Sequence, residues 1–346
     1  VILLERRDLS SGVTGQSPGV VRCYYQDPAL TELAFACVQH FREWATKIGP
    51  ECGLYETGVI TALREDEELG AREIIAKQLH VGTGMLLLGT EDMSSLYDDF
   101  NPNGLAGAVY EPQAGYCDTR AVTRGLARAA AQYGAQILLN SSVKAIHVFR
   151  DRVQGVETTE GRVNCGTVIN AAGAWAPILA ETCNAPLPIQ LQKHEVVEVF
   201  LADEGPTQLP PYMEACSSFY LGPLGANKYV VGPAGKPAGP AMLSEVAEAR
   251  SGVTLNLPYA QYVSRRFTRF TSAKIVGGRS APFDNTQDRL PLVGSDPRFE
   301  GLFVAAGLSG HGFKFCPLLG MAMAELVLTG KTNRLVKQFD PARFLS

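Results

Sequence analysis

Apolar residues recur at intervals of three and four from Pro28 to Lys47, where Leu30, Leu33, Cys37, Phe41 and Trp44 share one side. This spacing predicts a helix with one buried face. A second amphipathic helix is predicted over Asp66 to Leu79, with acidic residues in its first turn, and an alanine-rich helix over Arg120 to Tyr133, ended by Gly134. Gly53 to Leu63 alternates like a half-buried strand. After Gly134 the pattern shortens into strands over Gln136 to Leu139, Ser142 to Phe149, Arg152 to Thr158, around Val163, and over Thr167 to Ala172. Leu187 to Lys274 is strand-rich, with Pro/Gly turns such as Leu209-Pro210-Pro211, and is too long for a crossover. It reads as an antiparallel sheet inserted into a parallel one.

Two apolar runs end on glycine before a helix begins: Val168 to Gly173, followed by Ala174-Trp175, and Leu302 to Gly307, followed by Leu308 to Phe315. Such endings suggest neighbouring parallel strands that deliver backbone to one ligand at their carboxyl ends. In the second run Gly307, Gly310 and Gly312 remove the Cβ atoms that would block a close approach, and the helix predicted from Phe313 to about Leu328 turns its unpaired N–H groups toward the same place. Lys314 adds a charge one turn into that apolar helix. A glycine turn with a snorkelling lysine gives the same pattern. The chain opens on Val1-Ile2-Leu3-Leu4-Glu5-Arg6, a buried-strand pattern ending in a carboxylate that could hold a ribose or simply face solvent. In a dinucleotide-binding unit a G-x-G-x-x-G turn precedes such a strand by about 20 residues, and the sequence contains no such turn there.

The 346 residues are 46% hydrophobic and 19% charged, enough for a large core and two domains, which excludes a disordered chain. A net charge of −4 argues against nucleic acid as a partner. Eight cysteines without a C-x-x-C pair point to a reducing compartment and to no metal site. No apolar run has the length of a membrane span and no leader pattern opens the sequence, so a soluble cytoplasmic protein is expected.

Taken in order, Leu3-Leu4-Glu5-Arg6, the loop Ser11 to Arg22, Gly115-Tyr116-Cys117-Asp118, Val168 to Trp175, Pro291-Leu292-Val293-Gly294 and Gly307 to Phe315 resemble the D-amino-acid-oxidase-like superfamily of FAD-dependent oxidoreductases. Within it, the likeness is to the sarcosine oxidase, sarcosine and dimethylglycine dehydrogenase and glycine oxidase group. The resemblance implies an α/β (α+β) fold. A discontinuous Rossmann-like FAD-binding domain (1–48, 106–182 and 276–346) would carry a substrate domain (49–105 and 183–275) whose antiparallel sheet covers the flavin. It also implies an enzyme that takes hydride from the carbon next to nitrogen in an amino acid or an N-alkyl amino acid.

Carried over by position, Glu5 would hold the adenosine ribose and the Val143 backbone would face adenine. Ala172 and Gly173 would pass near the pyrophosphate. Arg6, Ser11, Trp175 and Gly294 lie in cofactor-contacting motifs. Gly310, His311, Gly312, Phe313 and Lys314 would approach the flavin pyrimidine edge, where a helix N-terminus and a cation favour negative charge. Arg22 and Lys314 would bind the substrate carboxylate, and Tyr220 would line the substrate pocket. On sequence alone Arg22 is equally a loop-end arginine and Tyr220 a half-exposed strand tyrosine. His311 reads as packing against flavin or backbone rather than as a base.

Ala281 stands where the monomeric sarcosine oxidases attach flavin to a cysteine, so non-covalent FAD is expected. Cys316 reads as core. Val230 stands where the oxidases carry a lysine that speeds reaction with oxygen, and Lys228 lies two residues away on the same strand face. Oxygen and a partner subunit both remain open as electron acceptor. Relatives that keep the fold as a protein-interaction module, including a regulatory subunit of a mitochondrial phosphatase, supply a third, non-catalytic reading.

Overall fold

The computed structural model describes residues 1–202, 208–214, 219–234, 238–240 and 259–344. Cys216 lies outside them, as does the turn at 235–237.

The helix Pro28–Lys47 forms with the expected bounds because both of its ends are specified locally. Asp27 caps it by accepting the Ala29 N–H at 2.8 Å, and Pro28 starts it with a φ already suited to a helix. Its buried stripe of Leu30, Leu33, Cys37 and Phe41 packs in one core with Phe315, Leu318, Leu319 and Ala322 of the last helix, Gly312–Thr329. That last helix is long and apolar enough by composition to cross a membrane, but this face of it is spent on the protein's own core. The helix Thr119–Gln132 is capped by Asp118, whose carboxylate accepts the Arg120 and Ala121 N–H groups. Glu65–Gln78 is the second amphipathic helix. The strand expected over Gly53 to Leu63 contracts to Val59–Leu63: Gly58 turns the backbone at φ +76°, and before it Tyr55 makes an isolated bridge to Tyr116.

Val168–Asn170 and Leu302–Ala306 are adjacent parallel strands with Val168 opposite Leu302, as their matching endings suggested. Leu292–Ser295 flanks the second of them antiparallel. Ile2–Leu4 pairs in parallel with Gln136–Leu138 in a separate two-stranded sheet, and Ile2 and Leu3 are exposed. Val143–Phe149, Arg152–Thr158 and Gly161–Asn164 form an antiparallel sheet.

Among the described residues the largest sheet has nine strands. Its strands run Ala238–Pro240, Ile189–Phe200, Lys228–Pro233, Phe219–Pro223, Tyr212–Glu214, Val59–Leu63, Gly107–Glu111 and Leu86–Gly89, and Lys274–Thr286 lies along Ile189–Phe200. The pairing is antiparallel except where Tyr212–Glu214 meets Val59–Leu63. Two segments expected in the cofactor domain pair with this sheet. Gly107–Glu111, placed in the cofactor domain by sequence, hydrogen-bonds along Val59–Leu63, and Lys274–Thr286 continues the large sheet ten residues past 276. Backbone pairing, which composition does not encode, decides both. One face of the sheet covers an aromatic core of Tyr212, Phe219, Tyr229 and Phe267. The opposite face carries the site.

Candidate functional site

Gly307 to Lys314 forms the turn between the parallel strand and the last helix, and its shape is held from outside. Asp284 accepts the Leu308 N–H at 3.2 Å on its carboxylate and the Ser309 N–H at 3.0 Å on its carbonyl. Gly310 has φ +80°, a left-handed conformation that an L side chain resists, and it is exposed. The helix then begins at His311 without a side-chain cap, which leaves its first N–H groups free for a ligand. The Phe313 ring packs on Phe41 at 5.5 Å, so what Phe313 offers this turn is backbone.

Lys314 points back from the helix into the space beside Arg22. Its Nζ donates to the Tyr25 hydroxyl at 3.1 Å, and the Arg22 guanidinium lies 4.5 Å over the Tyr25 ring while donating to the Tyr24 carbonyl. Two cations thus converge on one buried phenol. Burial, and then the Arg22 charge, holds the Lys314 amine well below the usual lysine range. Glu111 is the buried anion of this cluster. One of its oxygens accepts the N–H groups of Cys23, at 2.5 Å, and Tyr24, at 2.9 Å, which fixes the backbone just after Arg22. The other is buried without a hydrogen-bond partner. Burial pushes the Glu111 acid above the usual carboxyl range, and Arg22 opposes this. The far side of Tyr25 meets His311, whose Nδ1 is 3.0 Å from the hydroxyl. Burial and the nearby Lys314, Arg22 and Arg289 charges keep this imidazole neutral, well below its ordinary pKa.

Over the turn lies the large sheet. Phe283 sits where a side chain on Gly310 would be, His194 stacks on Phe283 at 4.2 Å, and His194 Nε2 is 3.3 Å from the Tyr220 hydroxyl. Tyr220 can lie flat there because Gly232 opposite it has no Cβ, which would come within 2.8 Å of the ring. Ala281 pairs with His194 on the neighbouring strand. Val230 is fully buried on the face that meets Pro18 through Gly222, while Lys228 is exposed at the strand end. The lysine stands two positions before Val230 on the same strand.

Several of the other expected cofactor residues lie just past the carboxyl ends of Ile2–Leu4 and Val168–Asn170. The Arg6 guanidinium lies 3.6 Å over the Trp175 ring, and Glu5 accepts the Arg7 N–H at 2.9 Å. Ala172 and Gly173 turn between them, tied by Asn170, which accepts the Ala172 N–H and donates to the Ala176 carbonyl. Gly173 has φ +54° and open space where a Cβ would be. Ser11 donates its N–H to the Asp8 carbonyl, and Val143 packs on the third core from the edge of its own sheet. At Gly294, Pro341 comes within 2.6 Å of where a Cβ would stand, so the glycine makes room for the C-terminal segment. Cys316 is partly buried against the first core, and seven described cysteines are unpaired.

The open space at Gly173, the exposed Gly310 turn, the uncapped helix start and the Arg22–Lys314 pair fit a long, anionic, electron-accepting cofactor such as FAD. Tyr25, Glu111, His194 and Phe283 escaped the sequence reading. Tyr25 and Glu111 carry no spacing signal, since their partners come from a helix and a loop far along the chain. His194 and Phe283 had one, because both fall in period-two strands.

Residues 1–326 match the profile of the DAO family, FAD dependent oxidoreductase. The chain is 27% identical to human mitochondrial sarcosine dehydrogenase, over 99% of its own length and 38% of that protein's. It is 29% identical to 4-methylaminobutanoate oxidase (formaldehyde-forming) of Paenarthrobacter nicotinovorans, over 99% of its length and 42% of the other. The chain thus spans about two fifths of the curated relatives it matches. In fold it is similar to L-proline dehydrogenase from P. horikoshii, with a TM-score of 0.90 at 24% identity, covering 100% of this chain and 91% of that one.

Proposed function

The chain belongs to the DAO family of FAD dependent oxidoreductases, and from that premise we propose that it oxidises the C–N bond of an amino acid or N-alkyl amino acid. The observation that carries this reading is the meeting of Lys314 and Arg22 on Tyr25, beside the glycine turn that starts the last helix. Glu111 offers one carboxyl to this pair of basic groups, and its hydrogen bonds go to the Cys23 and Tyr24 backbone, so the pair is left to receive a further anion. A substrate carboxylate supplies one, with the guanidinium fixing its orientation and the ammonium adding charge. The Gly173 and Gly310 turns would hold FAD, which would supply the acceptor for a hydride from the carbon next to nitrogen and so leave an imine open to hydrolysis.

The protein's own part is placement. Arg22, held by Glu111 through the next two backbone N–H groups, and Lys314 anchor one end of the substrate. Tyr220, His194 and Phe283 close the site from above with stacked rings that exclude water. FAD is held without a covalent bond at position 281, because alanine has no nucleophile there. Oxidised-flavin absorbance bands in the purified full-length protein, lost to the supernatant on acid precipitation, together with turnover of N-methyl amino acids, are the expected results. A colourless full-length protein would overturn the reading in favour of an interaction module.

Burial of Val230, with Lys228 held outside, favours an acceptor other than oxygen. A partner protein that takes the electrons fits this arrangement. Slow reoxidation of the reduced enzyme in air-saturated buffer supports that reading, and fast reoxidation overturns it.

A further inference from the structure

Lys314, Tyr25 and His311 form one hydrogen-bonded line, with Nζ 3.1 Å from the phenol oxygen and the phenol oxygen 3.0 Å from Nδ1 of the imidazole. The direction of each bond in this line follows from which groups can donate. Lys314 Nζ donates to the Tyr25 oxygen and so occupies one of its lone pairs. The phenol proton can then point at Nδ1, which accepts it. A neutral imidazole that accepts at Nδ1 carries its own proton on Nε2. Rotating the ring would set a carbon against the phenol and lose the bond. The ring is also held by its neighbours, lying 14° from parallel with Phe315 at 5.8 Å and 5.6 Å from Tyr25.

We propose that Tyr25 is a positioning residue that locks His311 in the Nε2–H tautomer, making it a fixed hydrogen-bond donor at the mouth of the last helix rather than a base. The group it would take is an electron-rich oxygen or nitrogen, the class to which the pyrimidine edge of a reduced flavin belongs, and this assignment of the recipient rests on the FAD reading above. The tautomer itself does not. His311 is half-buried and its Nδ1 is committed to Tyr25, so Nε2 is the nitrogen left for a ligand. The groups facing the ring all favour the neutral form: Arg22 and Tyr25 from the loop after Val20–Val21, Lys314 from the last helix, and Arg289 from the turn before Leu292–Ser295. Burial pushes the Tyr25 phenol up, so it keeps the proton that it donates. The result adds a neutral donor to the helix N-terminus, where the backbone already offers N–H groups, and avoids a third charge beside Arg22 and Lys314.

The test is nitrogen NMR of the full-length protein labelled with 15N-histidine. It has five histidines, and the His311 signals are identified by their disappearance in His311→Gln. The expected spectrum places His311 as a single neutral tautomer, with Nδ1 in the unprotonated range and Nε2 carrying hydrogen, unchanged between about pH 6 and 8, the range in which an ordinary histidine titrates. Tyr25→Phe is expected to bring in a second, Nδ1–H tautomer while the His194 signals stay in place. A wild-type His311 that carries its proton on Nδ1 or titrates in that range overturns the proposal, and this result does not depend on Tyr25→Phe folding. An unchanged tautomer in Tyr25→Phe overturns it as well. With FAD bound, the reduction potential is expected to fall in His311→Ala and to recover in His311→Gln, which keeps an N–H donor without a titrating ring. Protein that never binds flavin would defeat the assigned activity and leave the tautomer measurement to stand or fall alone.

Discussion

The guanidinium of Arg6 lies 3.6 Å over the ring of Trp175, joining the carboxyl ends of Ile2–Leu4 and Val168–Asn170, strands that belong to different sheets. Removing the cation by Arg6→Ala is expected to lower stability by about 0.5–1 kcal/mol, the usual range for a partly exposed pair of this kind. A double-mutant cycle with Trp175→Ala in urea denaturation isolates that term. No coupling between the two substitutions would show that the contact holds nothing.

Lys314→Met and Arg22→Ala should each raise KM for a carboxylate substrate by orders of magnitude and alter kcat less, because both side chains anchor a group that does not react. Steady-state kinetics on the flavin-loaded enzyme gives the split. Unchanged KM in both variants removes the carboxylate from the site.

Because burial and Arg22 hold Lys314 below the ordinary lysine pKa, the amine loses its charge within a range where an exposed lysine keeps it. Rising pH therefore removes a cation from the site. Affinity for a simple carboxylate such as propionate is expected to fall as pH rises through that depressed pKa, and to fall less steeply in Lys314→Arg, whose guanidinium stays charged. Fluorescence titration at several pH values distinguishes the two slopes.

Burial pushes His194 down to about 4, so between that value and its ordinary pKa of about 6.5 the unfolded chain binds a proton that the folded one refuses. Stability conferred by this site is full above the unfolded pKa and declines as pH falls through the window, by about 3 kcal/mol in total on the scale of 1.36 kcal/mol per unit. His194→Phe keeps a ring on Phe283 and cannot titrate. Its unfolding free energy should change less between about pH 7 and pH 4 than that of the wild type.

Val230→Lys would set an ammonium on the sheet face over the site, where the native chain has a buried valine. Stopped-flow reoxidation of the reduced enzyme should be faster in this variant. The buried charge should also lower thermal stability. An unchanged reoxidation rate would mean that another feature limits reaction with oxygen.

Secondary structure was most legible where local chemistry suffices. Asp27 and Pro28 start a helix and Asp118 starts another, and the stripe from Leu30 to Phe41 needs only a partner surface to become core. The glycine endings at Gly173 and Gly307 announced two parallel strands, and those strands are adjacent. Domain limits were less legible. Gly107–Glu111 and Lys274–Thr286 join the large sheet through hydrogen bonds to Val59–Leu63 and Ile189–Phe200, and a strand's sequence does not state which edge it will pair with. The contact of Pro341 with Gly294 likewise joins segments far apart in the chain and left no local signal.

The sequence by itself determined the periodic elements, the two glycine-ended strands, the uncapped helix start and the presence of Arg22 and Lys314, because each depends on residues close together in the chain. Only the tertiary structure decided what those residues touch. Tyr25 meets Lys314 and His311 across almost three hundred positions, Glu111 reaches the backbone beside Arg22 from another sheet, and His194 stacks on Phe283 beneath Tyr220. Contacts of this sort bring no local preference to the chain. They exist because burying the apolar faces forces the strands and helices into one arrangement, and the polar groups carried inward must then find partners or be held ready for a ligand.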